Sequence, residues 1–341
     1  MAPSSRRGAD YREGVIPASP VDAEADDAVG DPAEAVETRS ARVAPAQHGE
    51  RLDKVLVALA PEFSRSHLQQ LVERGHVTVD GQLAQPSSRK LKSGQQLALQ
   101  LVPTDESRAF RPEPMALAVL HEDEHLLVLD KPAGLVVHPA PGHWSGTLLN
   151  GLLAHHAGAT LLPRAGIVHR LDKDTSGVIM VGKTLPAVTA LVRAIAAREV
   201  HRRYLAIAQG RLVEDRFSVD APIGRDPHQR LRMAVVAGGK PARTDVLLVA
   251  RQGTTVALSC TLHSGRTHQI RVHLASRGLP LVADTLYGGK PGLGLQRQAL
   301  HATELRLAHP VSGEPLAFVC PPPADFAAAW AQATMGADSQ R

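Results

Sequence analysis

The sequence predicts an α+β protein in which a small helix-then-sheet unit precedes a larger, strand-rich one. Three observations predict it. Residues 49–103 run from two apolar-striped helical segments into short alternating strands. Residues 104–113 are polar and lead into Arg111-Pro-Glu-Pro114, a stiffened linker. From residue 114 onward, short apolar or alternating runs outnumber helical patterns, which points to a sheet carrying a few helices rather than a bundle.

The chain of 341 residues has room for about two domains and a proper core. Residues 1–46 are rich in Ala, Pro, Asp, Glu and Ser without apolar periodicity, so a disordered tail is expected there, with a second at 334–341. Nine acidic residues and five arginines give residues 1–48 a net charge of −4, which leaves +8 on the remainder of a chain whose total is +4. A basic folded part suits a polyanionic partner. Aromatics are only 3%, too few for a surface of many stacked bases. No run approaches the roughly 18–20 apolar residues of a membrane span, and Arg6 and Arg7 are not followed by the apolar core of a secretory signal. Cys260 and Cys320 sit in apolar surroundings without a disulfide spacing, so a cytoplasmic protein is expected.

In the small unit, Leu52, Val55, Leu56 and Leu59 share one helical face. Ser64-Arg-Ser66 offers N-caps for a second helix, and Gln69 stands three after Ser66, as in a capping box. Leu68, Leu71 and Val72 stripe that helix, and Gly75 ends it. Val77-Thr-Val79 followed by Asp80-Gly81 predicts a strand and tight turn, and Leu97-Ala-Leu-Gln-Leu101 closes a small sheet. In the larger unit, Leu126–Leu129 and Leu135–Val137 predict short buried strands joined at Lys131-Pro-Ala-Gly134. Leu185, Val188, Leu191, Val192 and Ile195 predict a helix capped by Thr184 with Pro186 in its first turn. Thr244–Val249 and Thr255–Leu262 alternate as strands, and a helix entered after Arg266 should end at Gly278.

The chemistry concentrates in Ile167-Val-His-Arg-Leu-Asp-Lys-Asp-Thr-Ser-Gly177, which packs four charged side chains and a histidine between apolar runs. Charge held so close to strand-forming residues is costly to bury unless paired, which points to a concave site. Taken alone, Asp172 reads better as a surface ion pair with Arg170 or Lys173. Gly177-Val-Ile-Met-Val-Gly-Lys-Thr184 also satisfies the phosphate-loop formula G-x-x-x-x-G-K-[ST]. A phosphate cradle needs a permissive backbone, and Val178–Val181 is a strong strand former, so a strand is expected. His121, His125, His138, His143, His155 and His156 lie close in sequence but lack the Cys or carboxylate spacing of a metal site.

His169-Arg-Leu-Asp-Lys-Asp-Thr-Ser-Gly177 resembles the signature of the RluA/RluD-type RNA pseudouridine synthases: His-Arg-Leu-Asp, two variable residues, Thr, Ser or Thr, Gly. Lys131-Pro-Ala-Gly134, His138-Pro139, Gly146-Thr-Leu-Leu-Asn150, the Arg-x-Tyr at 202–204 and Gly265-Arg-Thr-His-Gln-Ile-Arg-Val-His273 follow in that family's order, so the resemblance spans about residues 50–330. Residues 47–103 resemble the S4 RNA-binding domain, in which Arg51-Leu-Asp53, Ser64-Arg-Ser66 and Val77-Thr-Val-Asp-Gly81 fall in this order. Two departures are Ala283-Asp284 for the usual Gly-Asp, and Leu279 for a common His before Pro280.

The resemblance implies a catalytic domain over 114–333 with a mixed, mostly antiparallel bent sheet flanked by helices. It implies Asp172 as the catalytic group, Arg266 as its charge partner and Tyr204 against the flipped uracil. Arg170 would fill the place that the base vacates, with His169, Lys131, Thr175, Gln269 and Arg271 as further substrate contacts. Arg51, Lys54, Arg65, His67 and Arg74 would meet RNA phosphates. An aspartate suits the task, since its ordinary pKa of about 3.9 leaves it ionised at neutral pH without a partner base. The implied substrate is 23S ribosomal RNA, at the helix 69 stem-loop, free or in a pre-ribosomal large subunit. The implied protein is a monomer with no membrane association, metal, nucleotide or other cofactor. Another ribosomal or transfer RNA uridine, and a non-catalytic RNA-binding assembly factor, remain open as alternatives. Whether Asp172 adds to base or sugar, or removes a sugar proton, also stays open.

Overall fold

The computed structural model describes residues 37–102, 109–140, 142–229 and 231–335. The chain divides into two compact units, Met1–Pro103 and Thr104–Arg341.

In the first unit, α1 (Leu52–Leu59) and α2 (Arg65–Glu73) pack on an antiparallel sheet of order β1-β4-β2-β3. The strands are β1 (Glu37–Arg42), β2 (Val77–Val79), β3 (Gln82–Leu83) and β4 (Gln96–Leu101). Leu52, Leu56, Leu68, Leu71, Val77, Leu97 and Leu99 form the core. Asp80 and Gly81 both take positive φ, as the tight turn between β2 and β3 requires. Two expectations need correcting. The second helix is capped by Ser64, whose hydroxyl accepts the His67 N–H, and not by Ser66. Gln69 donates instead to the carboxylate of Asp53. Residues 37–46, placed in a disordered tail, form β1 and a 3-10 turn; the rest of that tail, residues 1–36, lies outside the described residues. No side chain of β1 is buried, so the strand is held by backbone pairing to β4 and carries no apolar signature.

The second unit is built on a nine-stranded sheet. Its strands are β5 (Ala118–Glu122), β6 (Leu126–Lys131), β7 (Ser176–Gly182), β8 (His201–Gln209), β9 (Arg216–Asp220), β12 (Arg243–Gln252), β13 (Thr255–Leu262), β14 (Leu300–Ala308) and β15 (Pro315–Val319). The order is β5-β6-β7-β14-β8-β13-β12-β9, with β15 also on β14. A separate hairpin pairs β10 (Ile223–Arg225) with β11 (Met233–Val235). Every ladder is antiparallel except β7 with β14, which pair in parallel at His301↔Ser176 and Ala302↔Gly177. Beyond that short junction the same edge of β14 turns to β15. Gly177 has φ +113°, and a Cβ there would meet the Ala302 carbonyl oxygen, so only glycine lets the strands approach.

Helices α3 (Leu148–His155), α4 (Leu185–Ala197), α5 (Gln269–Ser276) and α6 (Ala324–Thr334) complete this unit. Thr184 caps α4 through the Ala187 N–H. Gly146-Thr-Leu-Leu-Asn150 is a capping box: Thr147 Oγ1 accepts the Asn150 N–H while Asn150 Oδ1 accepts the Thr147 N–H. Asn150 Nδ2 also donates to the Arg111 carbonyl, so part of the expected linker is anchored to this unit. Leu135–Val137 forms no strand; Leu135 instead lends its carbonyl to a buried lysine. Val178–Val181 lies inside fully buried β7, which leaves no loop to cradle a phosphate. Helix α6 ends at Thr334, and of the tail expected over 334–341, residues 336–341 lie outside the described residues.

Candidate active site

Asp172 sits on a tight turn immediately before β7, closed by the Thr175 N–H donating to the Asp172 carbonyl at 3.1 Å. Neighbouring segments fasten that turn. Gly134 N–H and Lys131 Nζ both donate to the Lys173 carbonyl, at 2.8 and 3.0 Å. Arg297 Nη1 donates to the Asp174 carbonyl at 2.9 Å. His169 Nε2 accepts the Met180 N–H, tying the incoming segment to β7. The sequence Lys-Pro-Ala-Gly thus works as a clasp: Gly134 takes φ +89°, and Lys131 Nζ also reaches the Pro132 and Leu135 carbonyls.

The carboxylate of Asp172 accepts a hydrogen bond from Arg271 Nη1 at 3.1 Å. Arg271 is itself gripped by Asp284 through Nε at 2.7 Å and Nη2 at 2.8 Å, and it lies over the Tyr287 ring at 4.9 Å. Burial opposes its charge, but the Asp284 hydrogen bonds and the charge of Asp172 outweigh burial and hold the guanidinium well above its ordinary pKa. The Tyr287 hydroxyl accepts the Met233 N–H and meets His268 Nδ1 at 2.8 Å. Its own proton is then free for the imidazole, so the fitting neutral tautomer carries its hydrogen on Nε2, 4.0 Å from Asp172 Oδ1. Burial keeps His268 below its usual pKa despite the pull of Asp172.

Two cavities share Asp172. One, about 290 Å³, is lined by Tyr204, Arg202, His169 and Arg266 among others. The second, about 510 Å³, is lined by Lys173, Asp174 and Arg297 among others. Arg170 is exposed and borders both. Tyr204 projects from β8 and is 5% exposed. Burial pushes its phenol up to about 12, with Arg202 pulling the other way, so the neutral hydroxyl is the resting state.

The structure therefore brings Asp172, Tyr204, Arg170, His169, Thr175, Gln269, Arg271 and Arg266 to one cavity. It corrects the partner of Asp172. Arg266 donates through Nε to the Pro241 carbonyl, and the first turn of α5 delivers Arg271 to the carboxylate instead. It also corrects three residues expected to touch RNA. Lys131 is 1% exposed and its ammonium is spent on three backbone carbonyls. The Gln269 amide is committed to Ser264, Arg266, Arg243 and Thr244. Thr175 is buried beneath the turn, where its hydroxyl accepts from Gln298. Sequence reasoning missed Arg202, His268, Asp284 and Tyr287 as neighbours of the site. Arg202 of the Arg-x-Tyr, His268 of the Gly265–His273 block and Asp284 were the available signals.

Two histidines of the histidine-rich stretch meet carboxylates, His121 with Asp123 and His155 with Glu122, and the distant His309 also faces Asp123. Among the described residues no cluster is placed to hold a metal ion, and no helix is long and apolar enough to cross a membrane. Cys260 and Cys320 are free and buried.

In the first unit, the carboxylate of Asp53 is fully buried and accepts from Arg51, Arg65 and Gln69. Arg51 and Arg65 thus have one edge anchored while about half of each side chain stays exposed. Lys54 is exposed and paired with Glu50, and His67 stacks on Phe63. Arg74 is the C-cap of α2.

Known proteins can now be set beside this geometry. The RNA pseudouridylate synthase family model matches residues 125–276, and the S4 domain model matches residues 50–97. The ribosomal large subunit pseudouridine synthase D of Neisseria meningitidis serogroup B is 49% identical over 291 residues, 82% of this chain and 77% of that protein. Its counterpart in Xanthomonas campestris pv. campestris is 47% identical over 301 residues, covering 84% and 90%. The structure of human RNA pseudouridylate synthase domain containing 1 matches with a TM-score of 0.50 and 26% identity, over 64% of this chain and 90% of that one.

Proposed function

The chain belongs to the RNA pseudouridylate synthase family, and from that premise we propose that it converts uridines of large-subunit ribosomal RNA to pseudouridine, with Asp172 as the catalytic group. One observation carries the assignment of the residue: Asp172 is held by Arg271 at the edge of a cavity that also contains Tyr204.

The reaction breaks the bond from ribose C1′ to uracil N1 and forms one from C1′ to C5. The C5 proton leaves and N1 gains one, so atoms and electrons balance without an oxidant or added group. The uridine must first leave its stack, at about a few kcal/mol. Exposed Arg170, next but one to Asp172, fills the place in the RNA that the base vacates. Arg271 offsets the cost of a largely buried anion, and Asp284 fixes the angle at which it does so. The Tyr204 ring offers a face to the base, with its hydroxyl neutral. Asp172 is then the group that acts on the nucleotide.

The S4 unit supplies a second RNA contact, with the free edges of Arg51 and Arg65 and with Lys54 and Arg74 as its phosphate-facing cations. The same reading makes the protein a cytoplasmic monomer that needs no cofactor and acts at the helix 69 stem-loop, on free RNA or on the assembling subunit. Mapping pseudouridines after incubation with unmodified large-subunit RNA, small-subunit RNA and transfer RNA tests it. New pseudouridines in a large-subunit stem-loop alone support the assignment. Modification only in another RNA moves the substrate and keeps the reaction.

A further inference from the structure

Arg202 stands on β8 two residues before Tyr204, on the same face of the strand, and is 5% exposed. Its guanidinium makes no hydrogen bond or ion pair with any described residue, and its Nε is sealed from solvent without an acceptor. No carboxylate is near enough to compensate it, and burial drags its pKa down. A second orphan lies close by. His169 Nε2 accepts the Met180 N–H, so the neutral ring carries its proton on Nδ1, and that buried donor also lacks a partner. Burial, followed by the charge of Arg202, holds this imidazole down at about 3 and so keeps it neutral. Gly265 supplies the room: a Cβ there would lie 3.0 Å from Arg202 Nη1.

The cavity these groups line holds Arg164, Arg170, Arg202 and Arg266, with Asp172 as its one carboxylate already engaged by Arg271. A buried cation without a counter-charge is among the costliest features a fold can carry. It is retained most simply where a ligand brings the missing anion. We propose that Arg202 is the anchor for a phosphodiester oxygen of the flipped nucleotide, bound through the Nη edge of its guanidinium within the cavity that also holds Tyr204. A uracil carbonyl would accept a hydrogen bond there but leave the charge uncompensated, so the phosphodiester is the better fit. The inference rests on the pseudouridine synthase reading, and not on which RNA is the substrate.

The test uses a synthetic stem-loop that the wild-type protein demonstrably converts, so a wrong substrate assignment is recognised beforehand. Single methylphosphonate linkages neutralise the phosphate 5′ or 3′ of the target uridine. One of the two should cost the wild type about tenfold or more in kcat/KM. Arg202→Met should show a similar loss on native RNA and no further loss on the neutralised one, while Arg202→Lys recovers part of the activity. Losses that multiply, or a wild type indifferent at both linkages, would overturn the proposal. So would an Arg202→Met defect that tracks 4-thiouridine at the target instead, which would assign the contact to the base. Because the free protein carries Arg202 at a cost, Arg202→Met should unfold at a higher temperature than wild type; a clearly lower midpoint would mark Arg202 as structural.

Discussion

Arg271 meets Asp172 at 3.1 Å with one nitrogen while its other two hold Asp284 at 2.7 and 2.8 Å. A lysine cannot span both carboxylates, because it lacks the planar fork. Arg271→Lys should lower kcat by about a hundredfold or more with little change in RNA affinity. Asp284→Asn should lower kcat less, by about tenfold, since Arg271 stays but is less well aimed. Arg266→Ala, which leaves the Asp172 contact intact, should act chiefly on KM. Steady-state kinetics with direct RNA binding separate the three.

Lys131 reads as an RNA contact in the sequence and as a clasp in the structure. Its three carbonyl acceptors would be stranded in Lys131→Met, at a cost of about 2–3 kcal/mol. Denaturant unfolding should report that loss. The salt dependence of RNA binding should be unchanged, because no phosphate contact is removed.

Ala283 has φ +60°, a left-handed conformation, at the position where the resembling family usually has glycine. A side chain there costs on the order of 1 kcal/mol. Ala283→Gly should therefore stabilise the protein by about 0.5–1 kcal/mol in chemical unfolding and leave kcat intact, since Asp284 keeps its place.

Asp53 links stability of the first unit to pH. The Arg51 hydrogen bond, working against burial and reinforced by Gln69 and Arg65, holds its carboxyl well below the usual range. Between that depressed value and about 3.9 the unfolded chain binds the extra proton, so stability rises with pH across this window. The contribution is complete above pH 4 and is lost as pH falls below it. Asp53→Asn should speed amide exchange in α1 and α2 at pH 7, and the difference from wild type should shrink toward pH 2.

Much of this was legible in the sequence, for identifiable reasons. The stripe of α1 follows from spacing, the cap of α4 from Thr184 and Pro186, and the strand at Val178–Val181 from its strand-forming residues. β1 was invisible because none of its side chains is buried, so its pairing to β4 leaves no apolar alternation in the sequence. The charge partner of Asp172 was misassigned because Arg266 and Arg271 differ by one helical turn and a loop, and which of them faces the turn at 172–175 depends on how α5 is placed against β12 and β11. Arg202 and Asp284 stand in motif order, but the burial of one without a partner and the grip of the other on Arg271 emerge only in the folded chain.

If Asp172 performs the isomerisation, loss of the C5 hydrogen of uracil reports it most directly. Large-subunit ribosomal RNA transcribed with tritium at uracil C5 releases label when C5 joins the sugar. The wild-type protein should release tritium, and Asp172→Asn should bind the RNA with similar affinity and release none. Release by Asp172→Asn at the wild-type rate would contradict the assignment of the catalytic group.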